Sequence, residues 1–224
     1  MTVRDSYHHG DLRNALINAA ADLASSGGPD AVTIRAAARA VAVTPTAAYR
    51  HFAGQEELLE AAKDQALVRL TAAMDAELRA MPAIDDHLMR AIGKLAAIGR
   101  GYVNFATAQA GLFRTAFACE GLGLPPGAPG AGDDEFSANP FQTLVDVMDE
   151  LVEVGYLPAE RRPMAEFAAW STVHGIAMLL LEGPLREADA AMREHVLFRA
   201  MLIFVEGLGG HTIAQEDLWA LLRR

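Results

Sequence analysis

The sequence predicts an all-α protein: a small three-helix head over residues 1–54, followed by a larger helical bundle over residues 55–224. Apolar residues recur at three- and four-residue spacing in almost every segment, which is the period of an amphipathic helix. No alternating β-branched run bounded by turn residues is present, so strands are not expected. With 224 residues, 52% of them apolar, the chain is long and apolar enough for a hydrophobic core.

Three helices are predicted in the head. They cover about 11–26, 34–41 and 45–53. Thr33 and Thr44 are good N-caps for the second and third helices, and Pro45 occupies a first helical position, where its missing N–H costs nothing. The apolar period breaks over 41–44, so a turn of three or four residues joins two short helices there.

Further helices are predicted in the remaining chain, where Pro, Gly or acidic residues delimit most of them and 112–118 is a short segment. They cover about 56–81, 86–107, 112–118, 140–155, 163–182 and 189–207. The segment 121–132 has five Gly and three Pro in twelve residues and is expected to be a surface loop. Positions 196–205 are apolar on nearly every side of their helix, which indicates burial against a partner subunit.

Charge is unevenly distributed between these two parts. The net charge of −10 by itself argues against nucleic acid, but residues 1–53 carry +1 and residues 54–224 carry 14 bases and 25 acids, a net −11. The chain lacks a secretory signal at its start and an apolar run of about 20 residues, which favours a cytoplasmic protein without a membrane segment. The single cysteine, Cys119, has no flanking base, so a passive thiol is expected rather than a redox sensor.

The head has the layout of a helix-turn-helix, whose second helix must present a polar side to the major groove. Setting Ala48 and Phe52 inward turns Thr46 and Arg50 directly outward. An outward Arg can donate two hydrogen bonds to a guanine edge, and a Thr can reach base or phosphate. Periodicity alone leaves DNA reading and an ordinary small bundle open.

Over about residues 10–63 the chain resembles the N-terminal DNA-binding domain of the TetR family of bacterial transcription regulators. The resemblance rests on the run from Ile34 to Phe52, with its Tyr49-Arg50-His51-Phe52 ending, and on Glu56-Glu57-Leu58-Leu59 after it. It implies a packing role for Val43, Ala48 and Phe52. The resemblance also implies DNA contacts for seven residues: Thr33, Thr44, Thr46, Ala47, Tyr49, Arg50 and His51.

Two positions depart from the usual pattern of that family. Ala42 stands where a turn Gly is common, so the turn is expected either to avoid the left-handed conformation or to carry strain. Gln55 stands where a Lys often contacts phosphate, which leaves Lys63 as the nearby basic candidate. Loss of one phosphate contact would weaken affinity and its salt dependence rather than specificity.

For the rest of the chain the resemblance implies a homodimer with a small-molecule pocket, joined through about residues 163–182 and 189–207. Trp170-Ser-Thr-Val-His174-Gly175 is similar to the Trp…His-Gly element of the WHG-type C-terminal subclass. This element is either a pocket wall with His174 as its polar contact, or a core Trp packed on a hydrogen-bonded His, with Gly175 admitting a neighbouring helix. A mostly apolar effector is expected from the candidate lining, which comprises Tyr102, Phe105, Phe113, Phe117, Met148, Trp170 and His174.

Enzymatic chemistry is not indicated. The two acidic clusters, at 85–87 and 133–135, lack metal-ligand spacing, and neither a phosphate-binding Gly loop nor a nucleophile elbow occurs. We therefore expect no catalytic residues, no metal and no cofactor. The sequence predicts a ligand-responsive homodimeric repressor of a palindromic operator. The alternative is a helical, dimeric small-molecule-binding protein whose helix-turn-helix no longer reads DNA.

Overall fold

The computed structural model describes residues 9–118 and 139–209, with side chains from Leu12 onward. Within these residues the chain forms nine α-helices and no strand, which confirms the all-α prediction. The helices are α1 (His9–Gly27), α2 (Ile34–Ala40), α3 (Pro45–Ala48), α4 (Gln55–Ala80), α5 (His87–Ala108), α6 (Ala110–Phe117), α7 (Pro140–Glu153), α8 (Ala165–Leu181) and α9 (Ala190–Gly209). Cys119, the predicted loop 121–132 and the acidic cluster 133–135 lie outside the described residues.

The chain divides into two compact units. The first contains the described residues up to Ala76 and those from Asn104 to Gln142, and the second contains Glu77–Val103 and the described residues from Thr143 onward. Helices α4, α5 and α7 contribute residues to both units. A functional boundary between residues 54 and 55 stays a prediction, because this division follows packing alone.

Small side chains dominate the core where α1, α2 and α3 meet. The fully buried residues of these helices include Leu16, Ala20, Ala21, Ala24, Ala37, Ala38 and Ala48. Phe52, which follows α3, is buried beside them and is the largest side chain of this core. Since alanine adds little bulk, the short helices can approach one another closely, with Leu16 and Phe52 as the large side chains between them.

Helix α6 packs against α1 within the first unit. A Cβ added at Gly111 would lie 2.2 Å from the carbonyl oxygen of Ala24 and 2.5 Å from that of Ser25. The start of α6 therefore touches the backbone at the end of α1, an approach that only glycine permits. Thr115, fully buried in the next turn, donates its hydroxyl to the Gly111 carbonyl at 2.9 Å.

Acidic and amide side chains begin several helices as predicted. The Asp86 carboxylate accepts a hydrogen bond from the Met89 N–H at 2.7 Å, and the Asn139 side chain accepts one from Phe141 at 2.9 Å. The prediction that Pro163 opens α8 is wrong. Met164 adopts a left-handed φ of 66°, which is incompatible with a continuous helix, so α8 begins at Ala165.

In the second unit α8 and α9 pack on each other and leave bulky apolar side chains uncovered. Phe198 and Ile203 of α9 are 60% and 61% exposed, and Met178 and Leu179 of α8 are also exposed. Met201, between the two on α9, is buried. The helix is thus apolar on a buried side and on an exposed side, as its sequence predicts.

Gly175 does not admit a neighbouring helix within the described part of the chain. A Cβ built at Gly175 meets no described atom within 4 Å, and the residue is exposed. The close approach occurs instead at Gly99 of α5, where a Cβ would lie 3.2 Å from the Met201 sulfur and 3.4 Å from Val173. The expected role of Gly175 inside the subunit is therefore corrected.

Candidate functional site

Two threonines cap the helices of the head. The Thr33 hydroxyl oxygen accepts from the Ala36 N–H at 3.1 Å, and that of Thr44 accepts from Ala47 at 3.2 Å. Each cap uses an oxygen lone pair and leaves the hydroxyl hydrogen for another acceptor. Both predicted N-caps are confirmed, and Pro45 occupies the first position of α3 as predicted.

The turn between α2 and α3 is a left-handed helix end made with alanine. Ala42 has a φ of 57°, the Val43 N–H donates to the Ala38 carbonyl, and the Ala42 N–H donates to Arg39. This is the Schellman pattern, in which glycine normally takes the left-handed position. Of the two expectations for Ala42, the structure therefore adopts the strained one.

Residues 44–52 form an amphipathic segment. Ala48 and Phe52 are buried, as predicted, whereas Thr44, Thr46 and Arg50 are exposed. Tyr49, which caps the C-terminus of α3, is 55% exposed although it is large and aromatic. Ala47 and His51 are half-buried. The segment thus presents a hydroxyl, a guanidinium and a phenol on one outward side.

A small network fixes the end of this segment. The Ala53 N–H donates to a Glu57 carboxylate oxygen at 2.6 Å, so the first turn of α4 holds the chain that leaves α3. Arg13 of α1 lies over the Phe52 ring, with its guanidinium carbon 5.0 Å from the ring centroid. A guanidinium nitrogen of Arg13 lies 3.9 Å from the other Glu57 carboxylate oxygen. Hydrogen-bonding and cation–π contacts therefore attach the end of the 44–52 segment to α4 and α1.

Three further basic residues lie near this segment of the sequence, Lys63 on α4 and two arginines on α2. Lys63 lies eight residues into α4, about 12 Å along its axis, and its ammonium group is 3.1 Å from Glu60. Arg35 and Arg39 are exposed on α2, and sequence reasoning left them without a role. Their signal was available, because the spacing that turns Ile34, Ala37 and Ala38 inward turns these two outward.

A second candidate site lies on α5 and α8 within the second unit. The Trp170 indole N–H donates to the Tyr102 hydroxyl at 3.1 Å, and that hydroxyl lies 2.8 Å from Nδ1 of His174. The Trp170 and His174 rings meet edge-on with centroids 5.9 Å apart, as their spacing predicts. Burial raises the pKa of Tyr102 and lowers the pKa of His174, so both side chains are neutral at pH 7.

The other predicted effector-binding residues fall into the two units. Met148 of α7 is fully buried in the second unit. Phe105 and Phe113 are buried in the first unit, and Phe117 is half-buried there, with the Phe113 and Phe117 rings 4.9 Å apart. Tyr102, Trp170 and His174 are thus the members that form one hydrogen-bonded group.

Two broader features are relevant to function. Across residues 9–118 and 139–209, no helix combines the length and apolarity needed to cross a bilayer. The same part of the chain contains no cluster of three or more His, Cys, Asp or Glu side chains arranged to hold a metal ion.

Comparison with known families agrees with the sequence resemblance. Residues 16–62 match the family model described as bacterial regulatory proteins, tetR family. Residues 95–203, which include the Trp170–Gly175 element, match that of a tetracyclin repressor-like C-terminal domain. No curated protein matches the chain.

Solved structures share the fold over nearly the whole chain. A protein of unknown function from Rhodococcus sp. RHA1 is 27% identical, with a TM-score of 0.70 over 92% of this chain and 100% of its own. A putative tetR family transcription regulator from Shewanella sp. PV-4 is 15% identical, with a TM-score of 0.60 over 89% and 99%. A TetR regulator from Streptomyces coelicolor is 20% identical, with a TM-score of 0.56 over 89% and 99%.

Proposed function

Because the chain belongs to the TetR family of transcription regulators, we propose that it is a homodimeric repressor that binds a palindromic operator and is released by a small, largely apolar effector. Proteins of this family act by binding DNA and not by catalysis. The observation that carries the operator-binding proposal is the outward face of residues 44–52 over a buried Ala48 and Phe52. A cytoplasmic location is part of the same proposal.

The proposed DNA contacts divide into base readers and phosphate contacts. Arg50 donates to a guanine edge, Ala47 touches a thymine methyl, and Thr46 reaches base or phosphate. Phosphate oxygens accept hydrogen bonds from the capping hydroxyls of Thr33 and Thr44, from Tyr49 and from His51.

Cationic side chains on α2 and α4 are proposed to add electrostatic attraction to the DNA phosphates. Exposed Arg35 and Arg39 are proposed as phosphate contacts. Lys63 is also proposed as a phosphate contact, although its ammonium group forms an ion pair with Glu60. Because residues 54–224 carry −11, binding depends on these few local contacts and on two heads acting together. Affinity is therefore expected to be modest and sensitive to salt.

Dimerisation is proposed through α8 and α9, within the predicted segments 163–182 and 189–207. The support is the uncovered apolar surface of Phe198, Ile203 and Leu179 on two helices that already pack together. Exposed apolar surface of this kind on adjacent helices is typical of a subunit interface. A dimer carries two heads, which matches the two half-sites of a palindrome.

Effector binding is proposed to change the separation of the two heads. The effector can do this only through a difference in its affinity for the two arrangements. The proposed binding residues remain Tyr102, Phe105, Phe113, Phe117, Met148, Trp170 and His174. Their aromatic character suits a largely apolar molecule.

The operator-binding proposal is tested by footprinting the full-length protein on the promoter region of its own gene at low and at physiological salt. A protected palindrome that weakens with added salt is expected. Absence of protection at both salt concentrations would overturn the regulator proposal in favour of a helical small-molecule-binding protein that no longer reads DNA.

Single substitutions then separate the proposed roles on that palindrome. Arg50→Ala is expected to relax base preference at one position of each half-site, by roughly tenfold or more. His51→Ala is expected to weaken all sequences alike. Arg186→Ala, which removes an exposed charge from the second unit, is the matched control and should leave both quantities unchanged. The opposite pattern for Arg50 and His51 would refute the assignment.

A further inference from the structure

Glu57 joins α4 to the chain that leaves α3. It is the third residue of α4, and one of its carboxylate oxygens accepts a hydrogen bond from the Ala53 N–H at 2.6 Å. The other oxygen lies 3.9 Å from a guanidinium nitrogen of Arg13, whose guanidinium group also lies over the Phe52 ring. Side chains of α1 and α4 thus converge on residues 52 and 53, and all of them belong to the first unit.

Arg50, the proposed base reader, lies beyond the regular part of α3, which ends at Ala48. The Arg50 N–H donates to the Ala47 carbonyl at 3.3 Å, which is long for an N–H···O bond. The direction of the Arg50 side chain therefore depends on how firmly the backbone after it is held. Burial of Phe52 holds that backbone against the core, and the hydrogen bond at Ala53 sets the direction in which it continues.

The charge of Glu57 opposes DNA binding. A carboxylate repels the phosphate groups that the head must approach, and residues 1–53 carry a net charge of only +1. The Glu57 side chain is 47% exposed, so it does not serve as part of the core. Its charge and its hydrogen bond can be separated experimentally. Glutamine keeps an acceptor oxygen without the charge, whereas alanine removes both.

We propose that Glu57 is a positioning residue for DNA reading, which holds Ala53 so that Arg50 meets a base edge in one fixed direction. The proposal rests on the proposed operator binding through Arg50. In this arrangement Glu57 acts through the backbone of residues 50–53 and does not touch DNA. Loss of its hydrogen bond therefore lowers selectivity for the operator rather than general attraction to DNA.

The hold on Ala53 is tested first without DNA, by amide hydrogen exchange followed by NMR on the full-length protein. Glu57→Ala is expected to accelerate exchange at Ala53 roughly tenfold, and Glu57→Gln should keep it slow. Glu56→Ala is the matched control, because it removes an equally exposed carboxylate from the same turn. Equal exchange at Ala53 in Glu57→Ala and Glu56→Ala would overturn the proposal.

Selectivity is then measured as the ratio of the affinities for the protected palindrome and for a duplex of scrambled sequence. Glu57→Ala is expected to lower this ratio roughly fivefold or more, because Arg50 no longer meets its base in one direction. Glu57→Gln and Glu56→Ala should keep the ratio and tighten binding to both duplexes, since each removes a negative charge. A smaller folded fraction cannot imitate this result, because it lowers both affinities alike.

Two results in the variants would overturn the positioning role. An equal fall of the ratio in Glu57→Ala and Glu57→Gln would assign the effect to the charge. An unchanged ratio in Glu57→Ala would show that Phe52 alone positions the segment. Either result leaves operator binding by the unmodified protein intact. If instead the unmodified protein binds both duplexes equally, the operator-binding proposal itself fails, so the two failures are distinguishable.

Discussion

The head and the α8–α9 pair use apolar residues in opposite ways. In the head the buried residues of α1, α2 and α3 are mostly alanines, and the exposed side chains are mostly polar or charged. In the α8–α9 pair the apolar side chains are large, and Phe198 and Ile203 are left uncovered. The head buries its apolar side chains within one chain, whereas the α8–α9 pair leaves several large apolar side chains exposed.

This difference predicts where each region responds to substitution. A polar change on the outside of the head should alter DNA affinity and leave folding intact, since that surface is solvated. A polar change on the outside of α8 and α9 should alter assembly instead. Oligomeric state and operator affinity are therefore expected to respond together to changes in α9, and separately to changes in the head.

The largest effect is expected from a charge placed on the uncovered face of α9. Ile203→Glu would bury an unpaired carboxylate twice in a symmetric dimer, at a cost of about 3–5 kcal/mol for each such charge. Dimer affinity should fall roughly ten-thousandfold or more, at tenfold for each 1.4 kcal/mol. Sedimentation at micromolar concentration measures this loss, and circular dichroism measures the helicity, which should be retained.

The control for Ile203→Glu is Met89→Glu on α5, another exposed apolar residue of the second unit. It should leave the dimer intact. A monomeric unmodified protein, or equal dissociation by both substitutions, would contradict the assignment of the interface to α8 and α9.

The next effect compares two glycines, one in each unit. Gly111→Ala should destabilise the protein by about 1–3 kcal/mol or more, because its Cβ would meet the backbone of α1. Gly175→Ala should instead gain about 0.5–1 kcal/mol of helix stability, since no described atom lies near that position. Denaturant unfolding below the dissociation concentration of the dimer measures both changes.

Gly175 also serves to examine the interface. It is exposed on α8, in the turn before Met178 and Leu179. Should the partner's α8 approach closely at this position, Gly175→Ala would weaken the dimer while stabilising the isolated chain. A destabilised isolated chain would show that the glycine serves packing within the subunit.

The sequence predicted most reliably those features that depend on neighbouring residues. The caps at Thr33 and Thr44, the break after α2 and the inward position of Ala48 and Phe52 all follow from local spacing, and the structure confirms them. Exposure of Phe198 follows in the same way from the all-round apolar character of α9.

Contacts between distant segments were not predictable in this way. No periodicity pairs Tyr102 with His174, 72 residues away, or shows that Gly99 rather than Gly175 lies under α9. The start of α8 was misplaced for a related reason, because the left-handed conformation of Met164 has no signature in a non-glycine residue. Such features depend on tertiary packing, which a single sequence does not specify locally.

A moderate effect is expected at Asp64, which lines a groove of the first unit with Arg13, Glu57 and Glu60. Burial, and secondarily the charge of Glu60, raises the pKa of Asp64 from 3.8 to about 6. The folded state therefore holds this proton more tightly than the unfolded state. The contribution of Asp64 to stability declines as pH rises from 3.8 to about 6, and the full penalty persists above that range.

Asp64→Asn should remove this penalty. At pH 7 the variant should be more stable by about 1 kcal/mol, after allowance for solvent screening of a partly exposed groove. The gain should vanish below pH 3.8, where both states of the unmodified protein are protonated. Urea unfolding at several pH values measures the difference. The control is Asp30→Asn, which removes an exposed carboxylate from the turn that follows α1. A gain that is the same at every pH would exclude the proton linkage.

The smallest effect is expected at the turn of the head, where Ala42 is left-handed with a φ of 57°. The left-handed conformation costs an L-residue with a Cβ about 1 kcal/mol and costs glycine nothing, although glycine makes the unfolded chain more flexible. Ala42→Gly should therefore stabilise the head by about 0.5 kcal/mol.

The control is Ala40→Gly, two residues earlier in α2 and also exposed. This substitution should destabilise the head, because the conformation at residue 40 is helical. Thermal unfolding distinguishes the two. Since both changes are confined to the head, neither should alter the dimer, and a shift in oligomeric state would contradict the independence of the two regions.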